Sequence, residues 1–278
     1  TIANAVSMNA GSSGITFSGG SNLTFQGSTW AMAASGQTYN VASSSTATIN
    51  DVISGGGSGG IIKTGSGTLV IGGSSANTFT GGLTISGGQV TLQKTAGTNA
   101  IGSGNIVINS GGTLLLANSN QLPSGTNMVL NGGVFNTGGQ NQALGTLTLS
   151  STSNIDMGSG ANIISFADSS GASWSSNPIL NIVNWDGSLT GGGSSQLIFG
   201  SAASGLTANQ IAQIRFYNPA GLSPGTYSAQ ILSTGELIPD AAPEPATTVA
   251  GLLMGLIAVF WEIKRHKKKR IATSPCPN

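Results

Sequence analysis

The chain has 278 residues, of which 44 are glycine and only 6% are charged, where a globular domain carries about 25% charged residues. An apolar fraction of 38% is too high for a solvated coil, and no Gly-X-Y period indicates collagen. Residues 1–242 hold three basic groups (Lys63, Lys94, Arg215) against six acidic ones (Asp51, Asp156, Asp168, Asp186, Glu236, Asp240), a formal charge of −3 that offers phosphates no basic stripe.

His266 and Cys276 are the single histidine and cysteine of the chain. The first 242 residues therefore contain no disulfide, no Cys/His metal site and no triad that needs an imidazole. Thr1 rather than Met opens the chain, as expected where an N-terminal export signal has been removed or left out.

From about residue 13 to 166, short runs of alternating apolar residues are broken by Gly-Gly, Ser-Gly or Asn-Gly. ITF (15–17), LTF (23–25), TLVI (68–71), LTI (83–85), QVTL (89–92), IVI (106–108), TLLL (113–116), MVL (128–130), LTL (147–149) and IDM (155–157) read as strands. Comparable strands begin at Ile61, Leu83, Ile106 and Met128, at steps of 22, 23 and 22 residues, and the next step, to Leu147, is 19. Such a period predicts an all-β fold, a right-handed parallel β-helix of about six or seven rungs over residues 1–169. No single rung can bury its own apolar side, so stacking must supply the core.

Residues 170–238 are expected to form a small β-rich C-terminal cap. It contains the richer strands of 177–185, 196–199 and 226–232, and one short helix. Thr207 and Gln210 form a capping box at its start, with Leu206, Gln210, Ile211 and Ile214 on one face. Arg215 follows as a helix-end charge paired with a nearby acid.

Pro239, Pro243 and Pro245 mark residues 239–245 as a linker. Pro245–Trp261 then gives seventeen residues without a charge, about 25 Å of helix and near the short limit for a membrane span. A transmembrane helix is expected over 246–262, with Gly251 and Gly255 as a possible helix–helix contact. The cluster Lys264, Arg265, Lys267, Lys268, Lys269 and Arg270 opens a basic cytoplasmic tail, 263–278, which leaves the body outside the cytoplasm.

The order Pro243-Glu244-Pro245-Ala246, apolar helix, basic cluster resembles the PEP-CTERM sorting signal of exported bacterial proteins. The resemblance implies a Gram-negative host that makes extracellular polysaccharide. It also implies an exosortase-type membrane protease as partner, recognition at Pro243, Glu244 and Pro245, and a stop-transfer role for the basic cluster. The residues that follow, IATSPCPN (271–278), depart from that pattern and leave Cys276 without a role. Residues 60–93, with Gly-x-Gly-Thr-Leu, Asn-Thr-Phe-Thr-Gly-Gly and Ser-Gly-Gly elements, are similar to the autotransporter-associated β-strand repeat, and Ala100–Leu116 continues that pattern. Residues 180–239 resemble the region that often precedes the sorting tail.

Together these features predict a non-enzymatic structural or adhesive protein of the cell surface or extracellular matrix. It would be held briefly at the inner membrane, with extracellular polysaccharide as a possible partner, and without cofactor, metal, catalytic residue or nucleic acid. A carbohydrate-binding adhesin is the alternative, for which Tyr39, Phe79, Phe135 and Trp174 would have to line one face. A polysaccharide hydrolase would need two carboxyls about 5–9.5 Å apart, and Asp156 and Asp168 are the pair to test. Asp51 and Asp186 read as a strand cap and a turn acid. Self-association through an uncovered end rung is a further expectation.

Overall fold

The computed structural model describes residues 6–7, 14–20, 22–33, 36–55 and 57–241. They form a right-handed-type parallel β-solenoid of about seven turns with almost no helix. Pro239, expected to open the linker 239–245, instead ends the strand Glu236–Pro239. The rest of that linker from residue 242, the membrane helix and the basic tail lie outside the described residues, among which no helix is long and apolar enough to cross a membrane.

Three faces make the coil. The first is a seven-stranded parallel sheet of Gly14–Phe17, Gln37–Val41, Ile61–Thr64, Leu83–Ile85, Ile106–Asn109, Met128–Asn131 and Leu147–Ser151. Ile61, Leu83, Ile106, Met128 and Leu147 pair directly across it, so the sequence period is the rung register. All five side chains are buried. Each contributes roughly 1.5–3 kcal/mol on leaving water, and their strands stand about 4.8 Å apart.

The second face runs in parallel from Asn22–Phe25 through Thr46–Ile49, Thr68–Gly73, Gly88–Lys94, Gly112–Leu116, Val134–Asn136, Ser153–Asp156 and Leu180–Val183 to Ile214–Tyr217. Its inward column Ala47, Leu69, Val90, Leu114, Phe135, Ile155, Ile182 and Phe216 is fully buried. Alternation on the pleat turns every second residue outward, which is why three or four apolar positions suffice per rung.

Glycine is required where one rung turns against another. Gly88, at φ +64°, opens the second strand of its rung, and a Cβ there would collide with the carbonyl oxygen of Gly67.

The third face is a sheet only at its two ends. Val6–Ser7, Thr29–Met32 and Val52–Gly55 pair near the start, and Gln142–Leu144, Asn162–Phe166 and Ser195–Phe199 pair later. Between them, buried amides replace the strand ladder. Asn77 accepts from Ile53 N (2.9 Å) and donates to Ala100 O (2.7 Å). Gln121 accepts from Lys94 N (2.7 Å), and Gln142 accepts from Gln121 N (2.8 Å) and donates to Leu122 O (2.9 Å). These three side chains are buried, so each must satisfy backbone groups that would otherwise be orphaned.

Aromatic rings gather toward the two ends of the apolar interior. Phe17, Phe25, Trp30 and Tyr39 meet at centroid distances of 5.9, 4.9 and 6.1 Å on one side, with Trp30 Nε1 donating to the Tyr39 hydroxyl (2.7 Å). Phe166–Phe199 (5.1 Å) and Trp185–Phe216 (5.5 Å) lie toward the other. The middle rungs are filled mostly by Ile, Leu, Val and Met.

Residues 170–238, expected as a small β-rich cap, extend the coil before they end it. The parallel ladder continues through Leu180–Val183, Ser195–Phe199 and Ile214–Tyr217, and among the described strands each antiparallel pair includes Thr226–Ile231 or Glu236–Pro239. Thr226–Ile231 pairs with the last strand of the second face, Glu236–Pro239 pairs with Ser195–Phe199 on the third, and the two pair with each other. One hairpin thereby joins two faces into a 14-stranded sheet. The helix is a single turn, Ala208–Ile211, with both halves of the Thr207/Gln210 capping box formed. Ile214, expected on the helix face, instead begins a strand. Arg215 donates to the carbonyls of Ala212 and Ile214, both at 2.8 Å.

Candidate functional site

The acidic residues do not converge. Asp156 stands on the second face, where it accepts from Gly158 N (2.9 Å), Asn184 Nδ2 (2.7 Å) and Asn136 Nδ2 (3.2 Å). Asp168 follows the third-face strand Asn162–Phe166 and holds its own turn through Ser170 N (2.9 Å) and Ser170 Oγ (2.6 Å). Those two bonds hold its carboxyl below the usual carboxylate range. The pair to test for glycan hydrolysis thus belongs to different faces of the coil, Asp156 in a second-face strand and Asp168 in the turn after a third-face strand, and each carboxylate is engaged by neighbouring donors. Asp186 accepts from the Ser195 hydroxyl, and Glu236 accepts from Gly192 N (2.8 Å). Asp51, read as a strand cap, is buried and accepts from Ser28 N across one rung (2.9 Å). Among the described residues no group of three or more His, Cys, Asp or Glu could hold a metal.

Two lysines are buried in strands, a feature the sequence reading missed. Lys63 occupies the inward column between Tyr39 and Ile85 and donates to the carbonyls of Thr64 (2.8 Å), Gly65 (2.8 Å) and Gly87 (3.0 Å). Lys94 donates to Gly72 O (2.7 Å) and feels the charge of Asp51. Burial lowers each ammonium to a pKa of about 8. Strand alternation was the available signal, since Lys63 is two residues after Ile61 and Lys94 two after Leu92. Their carbonyl partners make them rung-to-rung clamps.

The rings proposed as a sugar-stacking line are not one. Tyr39, Phe79 and Phe135 are fully buried in the core. Trp174 alone of the four is half-buried, and it flanks a groove of about 710 Å³. One wall is the 170–179 segment and the other is the 207–213 turn. Gln210 Nε2 ties the walls together by donating to Ser169 O (2.9 Å) and Ala172 O (3.1 Å). Gln213 Nε2 does the same to Ser175 O (2.7 Å) and Pro178 O (2.8 Å).

The same segment closes the free edge of the first face. Leu147 N donates to Ser169 Oγ (3.0 Å), Trp174 Nε1 donates to Leu147 O (2.9 Å), and Ser175 N donates to Leu149 O (2.9 Å). The antiparallel hairpin covers the other two faces, so the open strand edges at the C-terminal side of the coil are blocked.

The sorting residues Pro243, Glu244 and Pro245, the basic cluster Lys264–Arg270, and Gly251 and Gly255 fall outside the described residues. Comparison with curated proteins and with solved structures gives no match. Residues 61–93 match the family model for the Passenger-associated-transport-repeat. That span holds the strands Ile61–Thr64, Thr68–Gly73, Leu83–Ile85 and most of Gly88–Lys94, which is one full rung and the start of the next. The chain therefore carries an autotransporter-associated β-strand repeat, a unit that points to a secreted or surface protein of structural or adhesive type.

Proposed function

We propose that this chain is an exported structural or adhesive protein of the cell surface or extracellular matrix, sorted through its C-terminal segment. The observation that carries the reading is the passenger-type repeat at 61–93, set within a continuous parallel ladder. A stacked coil with a continuous, mostly apolar interior and few charges is a stiff spacer and a poor electrostatic lure. It suits packing among neutral polymers better than steering toward a charged partner. The separated acids Asp156 and Asp168 give no support to glycan hydrolysis.

In the sorting half of the proposal, Pro243, Glu244 and Pro245 are read by an exosortase-type membrane protease while residues 246–262 hold the chain in the inner membrane. Lys264, Arg265, Lys267, Lys268, Lys269 and Arg270 stop transfer on the cytoplasmic side. Its support is the sequence order of motif, apolar run and basic cluster. Substituting Pro243→Ala, Glu244→Ala and Pro245→Ala together in the native host tests it. The unaltered chain should leave the membrane fraction and the triple variant should stay there at full mass. Identical distribution of the two would contradict the sorting role.

A further inference from the structure

We propose that the groove between residues 170–179 and 207–213 is a binding site for a neutral oligosaccharide. The inference deepens the adhesive reading by naming a ligand class and a place. It rests on that reading only for its biological setting, because binding can be measured wherever the protein resides.

The lining has one aromatic side chain, Trp174, and no charged side chain. Trp174 is fixed by its Nε1 bond to Leu147 O, so its ring is held without further ordering cost when a ligand arrives. Around it stand Ser173, Ser176, Asn177 and Asn209, all exposed, with side chains that make no hydrogen bond among the described residues. Hydroxyls and amides both donate and accept, as do the hydroxyls of a sugar.

The apolar face of a pyranose has a flat ring to lie on, while its equatorial hydroxyls meet the amide and hydroxyl rim. A charged ligand would find no counter-charge in this lining. The walls are preorganised, since Gln210 and Gln213 spend their amide donors on backbone carbonyls across the groove. A volume of about 710 Å³ falls within the range of small-molecule sites. Tyr39, Phe79, Phe135 and the other tryptophans of the described body, Trp30 and Trp185, are buried, and the exposed Tyr217 is not part of this lining.

The test uses the full chain with cellohexaose, mannohexaose and xylohexaose as neutral probes and hexagalacturonate as the anionic control, read by tryptophan fluorescence and calorimetry. At least one neutral hexaose should bind saturably, perturb Trp174 emission and exceed hexagalacturonate in affinity. Ser173→Ala with Asn177→Ala should weaken it about tenfold, the equivalent of one or two lost hydrogen bonds. Melting temperature should stay unchanged, because neither side chain holds the fold. Trp174→Leu should abolish the fluorescence response, and the rim variant keeps the test valid if that protein fails to fold. Absence of binding by all three neutral probes, or equal binding by the rim variant, would overturn the site. Neither result would bear on whether the protein is exported.

Discussion

The middle rungs and the C-terminal rungs use the same parallel ladder for different ends. In the middle, from Ile61 to Leu116, one rung repeats the next. Columns such as Leu69, Val90 and Leu114 stack like on like, and the outward side chains beside them are Thr68, Val70, Gln89, Thr91, Thr113 and Leu115. Past Leu147 the steps lengthen, aromatic rings replace aliphatics, and the connecting segments carry the only groove with an accessible indole among those described. Regularity makes stiffness, and a repeating surface presents the same chemistry everywhere. A distinct binding place arises where the repeat is broken, and breaking it at the end also solves the problem of the open edges.

Several substitutions would break or sharpen this comparison. Leu114→Ala in the middle column should cost the most, about 3 kcal/mol, because neighbouring rungs prevent collapse of the void. Urea unfolding would measure it. Gln142→Ala should cost about 2 kcal/mol by stranding the backbone donors of Gln121 and Leu122. A loss near zero would mean that water replaces the amide and that the third face is looser than described.

At the C-terminal end, Thr207→Ala should cost about 1 kcal/mol through loss of the capping box. Trp174→Phe should lose about 1 kcal/mol for the indole bond to Leu147 O. Both should leave the protection of middle-rung amides against hydrogen exchange nearly unchanged if the end opens by itself.

A separate effect, spread over both lysines rather than tied to one end, concerns pH. Lys63 and Lys94 fall from 10.5 to about 8 in the folded protein, so between these values the unfolded chain binds more protons. Stability should therefore rise as pH goes from about 8 toward 10.5. Tyr39, raised by burial above its ordinary value of 10.0, acts in the opposite direction from about pH 10 upward. A melting temperature that peaks near pH 10 is expected, and Lys63→Met combined with Lys94→Met should abolish the rise.

Much of the ladder was legible in the sequence because its period and its register are one thing: Ile61, Leu83, Ile106, Met128 and Leu147 are spaced by the rung and paired by it. The Thr207 capping box was legible for the same local reason. The third face was not, since Asn77, Gln121 and Gln142 look like loop amides until the neighbouring rung supplies the groups they satisfy. Nor was the groove, whose walls come from segments about thirty residues apart and meet only through Gln210 and Gln213. The rings singled out in advance failed as a surface because aromatic side chains are also what a coil uses to fill its core, and only Trp174 lies where the repeat opens.

The most direct measurement is the intact mass of the protein recovered from its native host after separating membrane, cell-surface and medium fractions. A species in the surface or medium fraction, cut near Pro243–Pro245 and retaining the repeat at 61–93, is the predicted result. A full-length chain confined to the inner membrane or the cytoplasm would contradict the account.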